Sequence, residues 1–531
     1  MTLLPLTSLH FTLQTMKPLK HSSITAIFVA FTLAGGQSAH AANAAWNTDA
    51  SSGNFNTAQW SINTVPVAGG SYTVLSNDAL FFGTSSTTTL TNDLSGASFG
   101  NITFNAGASA FTIGGNSYTL NGNITNSSSN LQTINNAMTA AARTFTGGTS
   151  GLTLGGAITA TNALTYAGVV NLTGATTING GAVNNQGFAT VGNAVSSTVN
   201  ILTGGSLTIN GTTAGTKPNT IVGQNGTNTT STIAVNGGAL TIGAENGFVL
   251  GNNSGTTTGV LTISSGTATI NRGSTTATDI RSFIILGRDT ATGTINLNGG
   301  TLATDRNFIR DGSSTADVNG AANFNFGGGT LKALANQADW LNSSTKNTNQ
   351  LALTSVTATN TSTIDSNGFS VAVNNNISGS GGFNISSTLG SGTVTLGGAN
   401  TYAGGTSILS GNLATGSTGN FGLGNVTVAD VAGANLILGN GNSIADTAIL
   451  YFGDAGTINL NNSTTETLFG ITQTDDSQSI GAGTYTATQL NGFFGVSSFL
   501  GTGTLTVVPE PSAVLLGGLG MLGLLRRRRI A

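Results

Sequence analysis

The chain has no cysteine, and its three histidines, His10, His21 and His40, all belong to the N-terminal leader. From residue 41 onward it therefore lacks the two side chains most used for nucleophilic, acid–base and transition-metal chemistry near neutral pH. Ser-His-Asp triads, Cys-His pairs and zinc sites are excluded from the body, and no cofactor is expected in it. Without disulfide staples, stability has to come from an extended, repeated core. Charge is scarce, with 15 Lys and Arg against 18 Asp and Glu in 531 residues. Setting aside Lys17, Lys20, Glu510 and Arg526 to Arg529 leaves 9 basic and 17 acidic residues, a net charge near −8. Nucleic-acid binding needs a basic footprint, and none exists. Strong helix formers are rare, and no window between residues 43 and 500 shows a helical apolar period.

What is there is glycine, 78 residues of it against 6 prolines, in a chain that is 38% hydrophobic and otherwise rich in Thr, Ser and Asn. That mixture suits many short strands joined by tight turns. The middle of the chain also repeats. Gly204-Gly205-Ser206-Leu207, Gly237-Gly238-Ala239-Leu240, Gly299-Gly300-Thr301-Leu302 and Gly328-Gly329-Thr330-Leu331 share one pattern, with a degenerate copy at Ser265-Gly266-Thr267-Ala268. Their even spacing points to a solenoid with a period of about 30 residues. A second element leads each repeat: Ile221-Val222-Gly223, Val249-Leu250-Gly251, Ile285-Leu286-Gly287 and Phe308-Ile309-Arg310. Between the two lie alternating strands in which Ile295 and Leu297, or Phe324 and Phe326, share one face and asparagines the other.

The expectation is an all-β right-handed parallel β-helix between an N-terminal signal helix and a C-terminal membrane helix. Runs of antiparallel sheet are the alternative fold. The expected organisation is a signal peptide over 1–42, a strand-repeat region over 43–200, and ~30-residue solenoid repeats over 201–335. An irregular joint follows over 336–390, then a further repeat and cap over 391–508, and a tail over 509–531.

Both ends carry processing signals. Lys17, Lys20 and His21 precede the apolar stretch Ile24 to Ala34, which is followed by Ser38-Ala39-His40-Ala41-Ala42. This reads as a secretory signal peptide with an A-x-A site at Ala39 and Ala41, cut after Ala41 or Ala42, and it implies the Sec machinery as a partner. Met16 makes a better start than Met1, because no charge precedes Lys17. The tail reads Pro509-Glu510-Pro511-Ser512, an apolar run from Ala513 to Leu525, then Arg526, Arg527, Arg528 and Arg529. Ser512 to Leu525 spans roughly 21 Å as a helix, against about 30 Å of bilayer core, so the span is marginal. The arginines fit the cytoplasmic side.

This tail resembles the PEP-CTERM sorting signal of Gram-negative bacteria. The resemblance implies export, transient retention in the inner membrane, and recognition by an exosortase-type processing enzyme. Delivery to the cell surface or extracellular matrix follows from it. A permanent single-pass anchor is the alternative. Residues Thr393 to Thr406, which contain Leu396-Gly397-Gly398-Ala399-Asn400-Thr401-Tyr402-Ala403-Gly404-Gly405-Thr406, run into Gly411-Asn412-Leu413. They resemble the autotransporter-associated β-strand repeat, with a weaker echo at Ala163 to Gly168. That resemblance implies a passenger-type β-helix, although no segment after residue 400 could form a translocator barrel.

The densest charge lies between Arg272 and Asp317. Arg288-Asp289 and Arg310-Asp311 both follow the leading repeat element, so they are expected on adjacent turns of the helix. They form either a glycan- or cation-binding stripe or a surface ion-pair ladder of little energetic weight. Asp475-Asp476 is a weaker candidate, since neighbours on a strand point to opposite faces. Trp46, Trp60 and Trp340 are candidates for sugar stacking or for the core. The reading that follows is a non-enzymatic surface or matrix protein, with exopolysaccharide a candidate partner. A polysaccharide-active enzyme using acids between Asp279 and Asp317 is the alternative.

Overall fold

The computed structural model describes residues 41–179, 189–210, 219–244, 246–252, 256–272, 279–312, 320–347, 350–460 and 465–508. The chain divides between His40 and Ala41, and every described residue lies in the later part. The expected signal helix, Ala39 of the A-x-A site, Asp317 and the whole tail, including Pro509, Glu510, Pro511 and Arg526 to Arg529, lie outside the described residues.

The described residues are nearly all β-strand, and almost every strand pairs in parallel with a strand one repeat further on. One ladder can be followed by its buried column: Leu90, Ile113, Ile134, Leu154, Leu172, Ile201, Val235, Ile263, Leu297, Phe326 and Ala358, each opposite the next. The step along the chain is shortest from Leu154 to Leu172 and longest from Ile201 to Val235 and from Ile263 to Leu297. A second ladder stacks Ile102, Ile124, Phe145, Tyr166, Val191, Val222, Leu250 and Leu286. Toward the C-terminal end a third stacks Val371, Val394, Leu413, Leu436, Ile458 and Phe499. All of these side chains are buried in one continuous core.

The local cause is visible in the strands. Ile295 and Leu297 in Thr292–Leu297, or Phe324 and Phe326 in Ala322–Phe326, alternate with half-exposed polar residues. Period-two alternation sends one set inward and the other outward. The Gly-Gly-x-Leu copies stack on one another: Leu207 faces Leu240, Leu240 faces Ala268, Ala268 faces Leu302, and Leu302 faces Leu331. Gly259 shows why glycine is needed where strands approach closely, since a Cβ there would collide with Val222 O and Gly251 N. Pairing also runs through residues 336–390, where Phe324 faces Val356 and Val356 faces Ile377.

The resemblance to the autotransporter-associated repeat falls on a buried corner. Asn400 is buried, donating to Asn420 O at 2.6 Å and accepting the Ile377 N–H at 2.9 Å. Tyr402 is fully buried, with its hydroxyl 2.6 Å from Thr406 Oγ1. The motif's polar letters are therefore used inside the fold, Asn400 tying to segments 20 and 23 residues away and Tyr402 to Thr406 within the motif.

Both ends of the described body depart from parallel pairing. Asn43–Trp46 pairs antiparallel with Trp60–Ile62, and the Trp46 and Trp60 rings meet edge to face at 5.0 Å. At the other end Gly483–Thr486 pairs antiparallel with Thr504–Val507. Between them lies a helix, Ala487–Phe494, capped by Thr486 and Gln489 and ended by Gly495 at φ +70°. This helix corrects the expectation of no helical segment before residue 500. No helix among the described residues is long and apolar enough to cross a membrane.

Candidate functional site

The charged stripe resolves into separate pairs. The strand Phe283–Arg288 pairs with Asn307–Asp311 so that Ile285 faces Ile309, not Phe308, and an irregularity follows before Arg288. The irregularity undoes that one-residue shift, so Arg288 stands opposite Asp311, and Arg288 Nε lies 3.0 Å from Asp311 Oδ2. Like-over-like stacking of Arg288-Asp289 on Arg310-Asp311 is thus replaced by a cross-strand ion pair. Asp289 adopts φ +57° and donates its N–H to Asp311 O at 3.1 Å. Arg310 reaches away, donating from Nη1 to Gly320 O at 3.0 Å, while its backbone pairs with Leu351. Burial pushes the Asp311 carboxyl up, with Arg288 pulling it back, and burial pulls the Arg310 guanidinium down.

Two further contacts of this region involve its acids. Arg281 bonds Asp279 at 2.7 Å, and the Arg272 N–H donates to Asp305 at 2.5 Å. Asp475 and Asp476 lie exposed in a turn. Among the described residues no group of three or more His, Cys, Asp or Glu is placed to hold a metal ion. Trp46, Trp60 and Trp340 are fully buried, so none presents a face for sugar stacking.

The outer faces carry an arrangement that residue-by-residue reading of charges misses. On one ladder seven threonines stand in register: Thr119, Thr139, Thr159, Thr177, Thr208, Thr241 and Thr269. Parallel strands lie about 4.8 Å apart, so hydroxyls recur at that interval. Thr119 and Thr139 share a hydrogen bond at 3.1 Å, while the hydroxyls of Thr159, Thr177, Thr208, Thr241 and Thr269 bond to no other described side chain. The outward asparagines differ, because they close on each other: Asn171–Asn200, Asn296–Asn325 and Asn412–Asn435 each bond at 2.8 Å.

Beside the first threonines runs a shallow trough of about 290 Å³, lined by Ser117, Ala137, Ala157, Thr119, Thr139 and Thr159 among others, with no Asp, Glu, Lys or Arg. Its signal in the sequence is the repeated small-x-Thr spacing, recognisable only once the register is known.

The last described strand, Thr504–Val507, is held on both edges, by Thr465–Leu468 and by Gly483–Thr486. The PEP-CTERM protein-sorting motif matches residues 507–529. It indicates a protein that is exported, sorted by an exosortase-type enzyme at the membrane and delivered to the cell surface. The match starts where the last strand finishes and does not reach the segment around Tyr402. No curated protein and no solved structure matches the chain.

Proposed function

We propose that this chain is a non-enzymatic exported protein whose body is a right-handed parallel β-helix, displayed at the cell surface or in the extracellular matrix. The observation that carries the reading is the sorting motif at 507–529, set directly behind the closing strand of a core whose strands pair almost entirely in parallel. The Sec machinery takes the leader, and the C-terminal helix holds the inner membrane until the exosortase-type enzyme acts. Parallel pairing of each strand with its counterpart one repeat on supports the β-helix, as does the resemblance of residues 393–413 to a passenger-type repeat. C-terminal peptide mass spectrometry on host fractions tests the sorting step. The expected product ends at or near Pro509-Glu510-Pro511 and lies outside the inner membrane. An intact tail through Arg529, found only with inner membrane, overturns it in favour of a permanent anchor.

The matrix role is adhesion to a neutral exopolysaccharide lying along the threonine trough. The lining is uncharged, and a body of net charge near −8 repels acidic polymers. In affinity electrophoresis the protein is expected to be retarded by hydroxyethylcellulose and not by alginate. Ala137→Gln fills the trough without entering the core and is expected to weaken retardation about tenfold, the equivalent of about one good hydrogen bond. Equal mobility with and without the neutral polymer removes this role.

A further inference from the structure

The Asp78 carboxylate is fully buried beside the first strand, and none of the salt bridges among the described residues reaches it. Its Oδ2 accepts from Tyr72 Oη at 2.7 Å and from the Leu75 N–H at 2.8 Å. Its Oδ1 accepts one bond only, from the Ala42 N–H at 2.7 Å. A buried carboxylate without a cation is costly, and this one turns Oδ1, with its single donor, to a backbone nitrogen immediately after Ala39-His40-Ala41.

We propose that the leader is cut between Ala41 and Ala42, and that the α-ammonium so created locks onto Asp78 as its missing cation. The inference rests on the export reading above. Hydrolysis breaks the bond from the Ala41 carbonyl carbon to the Ala42 nitrogen. Water gives its hydroxyl to Ala41, which leaves as a carboxylate. The nitrogen takes the remaining proton and one more from solvent, and becomes an ammonium. A signal peptidase of the membrane supplies the catalysis.

The neighbouring bonds fit less well. A cut after Ala42 removes the donor to Oδ1, and with it the carbonyl that accepts the Ala79 N–H at 2.9 Å. A cut before Ala41 leaves a neutral amide facing the carboxylate. Ala41 is exposed and Ala42 half-buried, so the cut falls where the chain enters the fold. After the cut Ala42 stays tied through its carbonyl to Ala79. The amine then faces Asp78, with Tyr72 on the far oxygen. Burial and the neighbouring Asp78 push the Tyr72 phenol up, so it remains a donor.

The test uses the full chain, exported from a Gram-negative host and mapped by N-terminal mass spectrometry. The expected first residue is Ala42. A start at Asn43 or beyond overturns the proposal but leaves export standing, whereas an uncut leader sinks the export reading as well. The α-amine pKa is then expected to rise by about one unit above its ordinary ~7.7–8.0. Stability from a raised base is present below the unfolded pKa and lost as pH climbs through the folded one. Thermal melting of the wild type should therefore fall between pH 7 and 10 more steeply than that of Asp78→Asn. Parallel curves overturn the lock. If Asp78→Asn does not fold, the pH midpoint of N-terminal acylation decides, and a midpoint at or below the ordinary value overturns the lock.

Discussion

Replacing Arg306 by alanine is expected to destabilise the central repeats by about 3–5 kcal/mol, the largest loss from any single charged residue. Arg306 is fully buried. It lies between the strands Thr301–Thr304 and Asn307–Asp311. Its Nε donates to Asn271 O at 2.6 Å, and Nη2 donates to Asn246 O at 2.6 Å and Gly243 O at 3.3 Å. Nη1 reaches Phe283 O at 3.4 Å. These carbonyls belong to earlier turns, up to 63 residues back in sequence. One planar fork thus satisfies corner backbone that no strand partner reaches. Burial pulls its pKa down to about 9, with Asp305 and Asp279 opposing, so it stays charged at neutral pH.

Alanine strips the guanidinium donors from those carbonyls and leaves a cavity, and of the four, Gly243 O keeps the Asn246 N–H at 3.1 Å. Lysine offers one compact ammonium in place of the fork and is expected to recover less than half the loss. Unfolding in a repeat array need not be a single transition. Hydrogen exchange of the backbone over Gly247–Asn252 and Phe283–Arg288, compared between variants, is therefore the measurement. Unchanged protection there would remove the strut argument.

The register of these repeats was legible before any coordinates. The spacings between the Gly-Gly-x-Leu copies are the offsets at which Leu207, Leu240, Ala268, Leu302 and Leu331 face one another. Apolar alternation named the inward residues because a strand has only two faces. The same logic failed by one residue at Ile285, which faces Ile309 where the repeat element predicts Phe308, and the irregularity after Ile285 brings the frame back. Arg288 follows Ile285-Leu286-Gly287 as Asp311 follows Phe308-Ile309-Arg310, so the repeat element already aligned the two, while the likeness of Arg288-Asp289 to Arg310-Asp311 pointed to a pairing one residue off.

The helix Ala487–Phe494 was missed although Ala487, Leu490 and Phe494 stand at i, i+3 and i+7, because it carries the period for only about two turns. Its capping letters, Thr486 with Gln489, and its terminal Gly495 were nevertheless there to be read. Asp78, Arg306 and Glu466 were illegible for another reason. Their key partners are distant in sequence, Ala42 for Asp78, Gly243 for Arg306 and Ile444 for Glu466. They become neighbours only once the strands are stacked. The sorting tail needed no geometry at all, since its information is composition in order.

Glu466 should make this protein less stable as pH rises from about 4.5 to 7, by roughly 3 kcal/mol. The side chain shares the inward face of Thr465–Leu468 with Leu468, at a position where alternation calls for an apolar residue. It is 2% exposed, and its oxygens accept the N–H groups of Ser443 at 3.0 Å and Ile444 at 2.7 Å. No Lys or Arg pairs with it among the described residues. Burial pushes its pKa up from 4.5 to about 7, the two backbone donors pull it back, and Asp446 adds to the rise.

The folded state therefore holds a proton that the unfolded chain releases, and deprotonation costs stability between those two values. Asp311 slopes the same way and Asp365 the opposite way. Burial alone would raise Asp365, but hydrogen bonds from Thr388 and Asn367 and the charge of Lys332, 3.3 Å away, hold it low. It loses its contribution as pH falls, so the raw curve mixes both signs. The difference between wild type and Glu466→Gln isolates one group. Glutamine turns an amide N–H₂ toward a backbone donor, a fixed cost of about 1–3 kcal/mol that does not vary with pH. Denaturation of the C-terminal repeats should show the variant gaining on the wild type by roughly 3 kcal/mol from pH 4.5 to 7.5. A constant gap across that range would mean that Glu466 stays ionised throughout, its two backbone donors outweighing its burial.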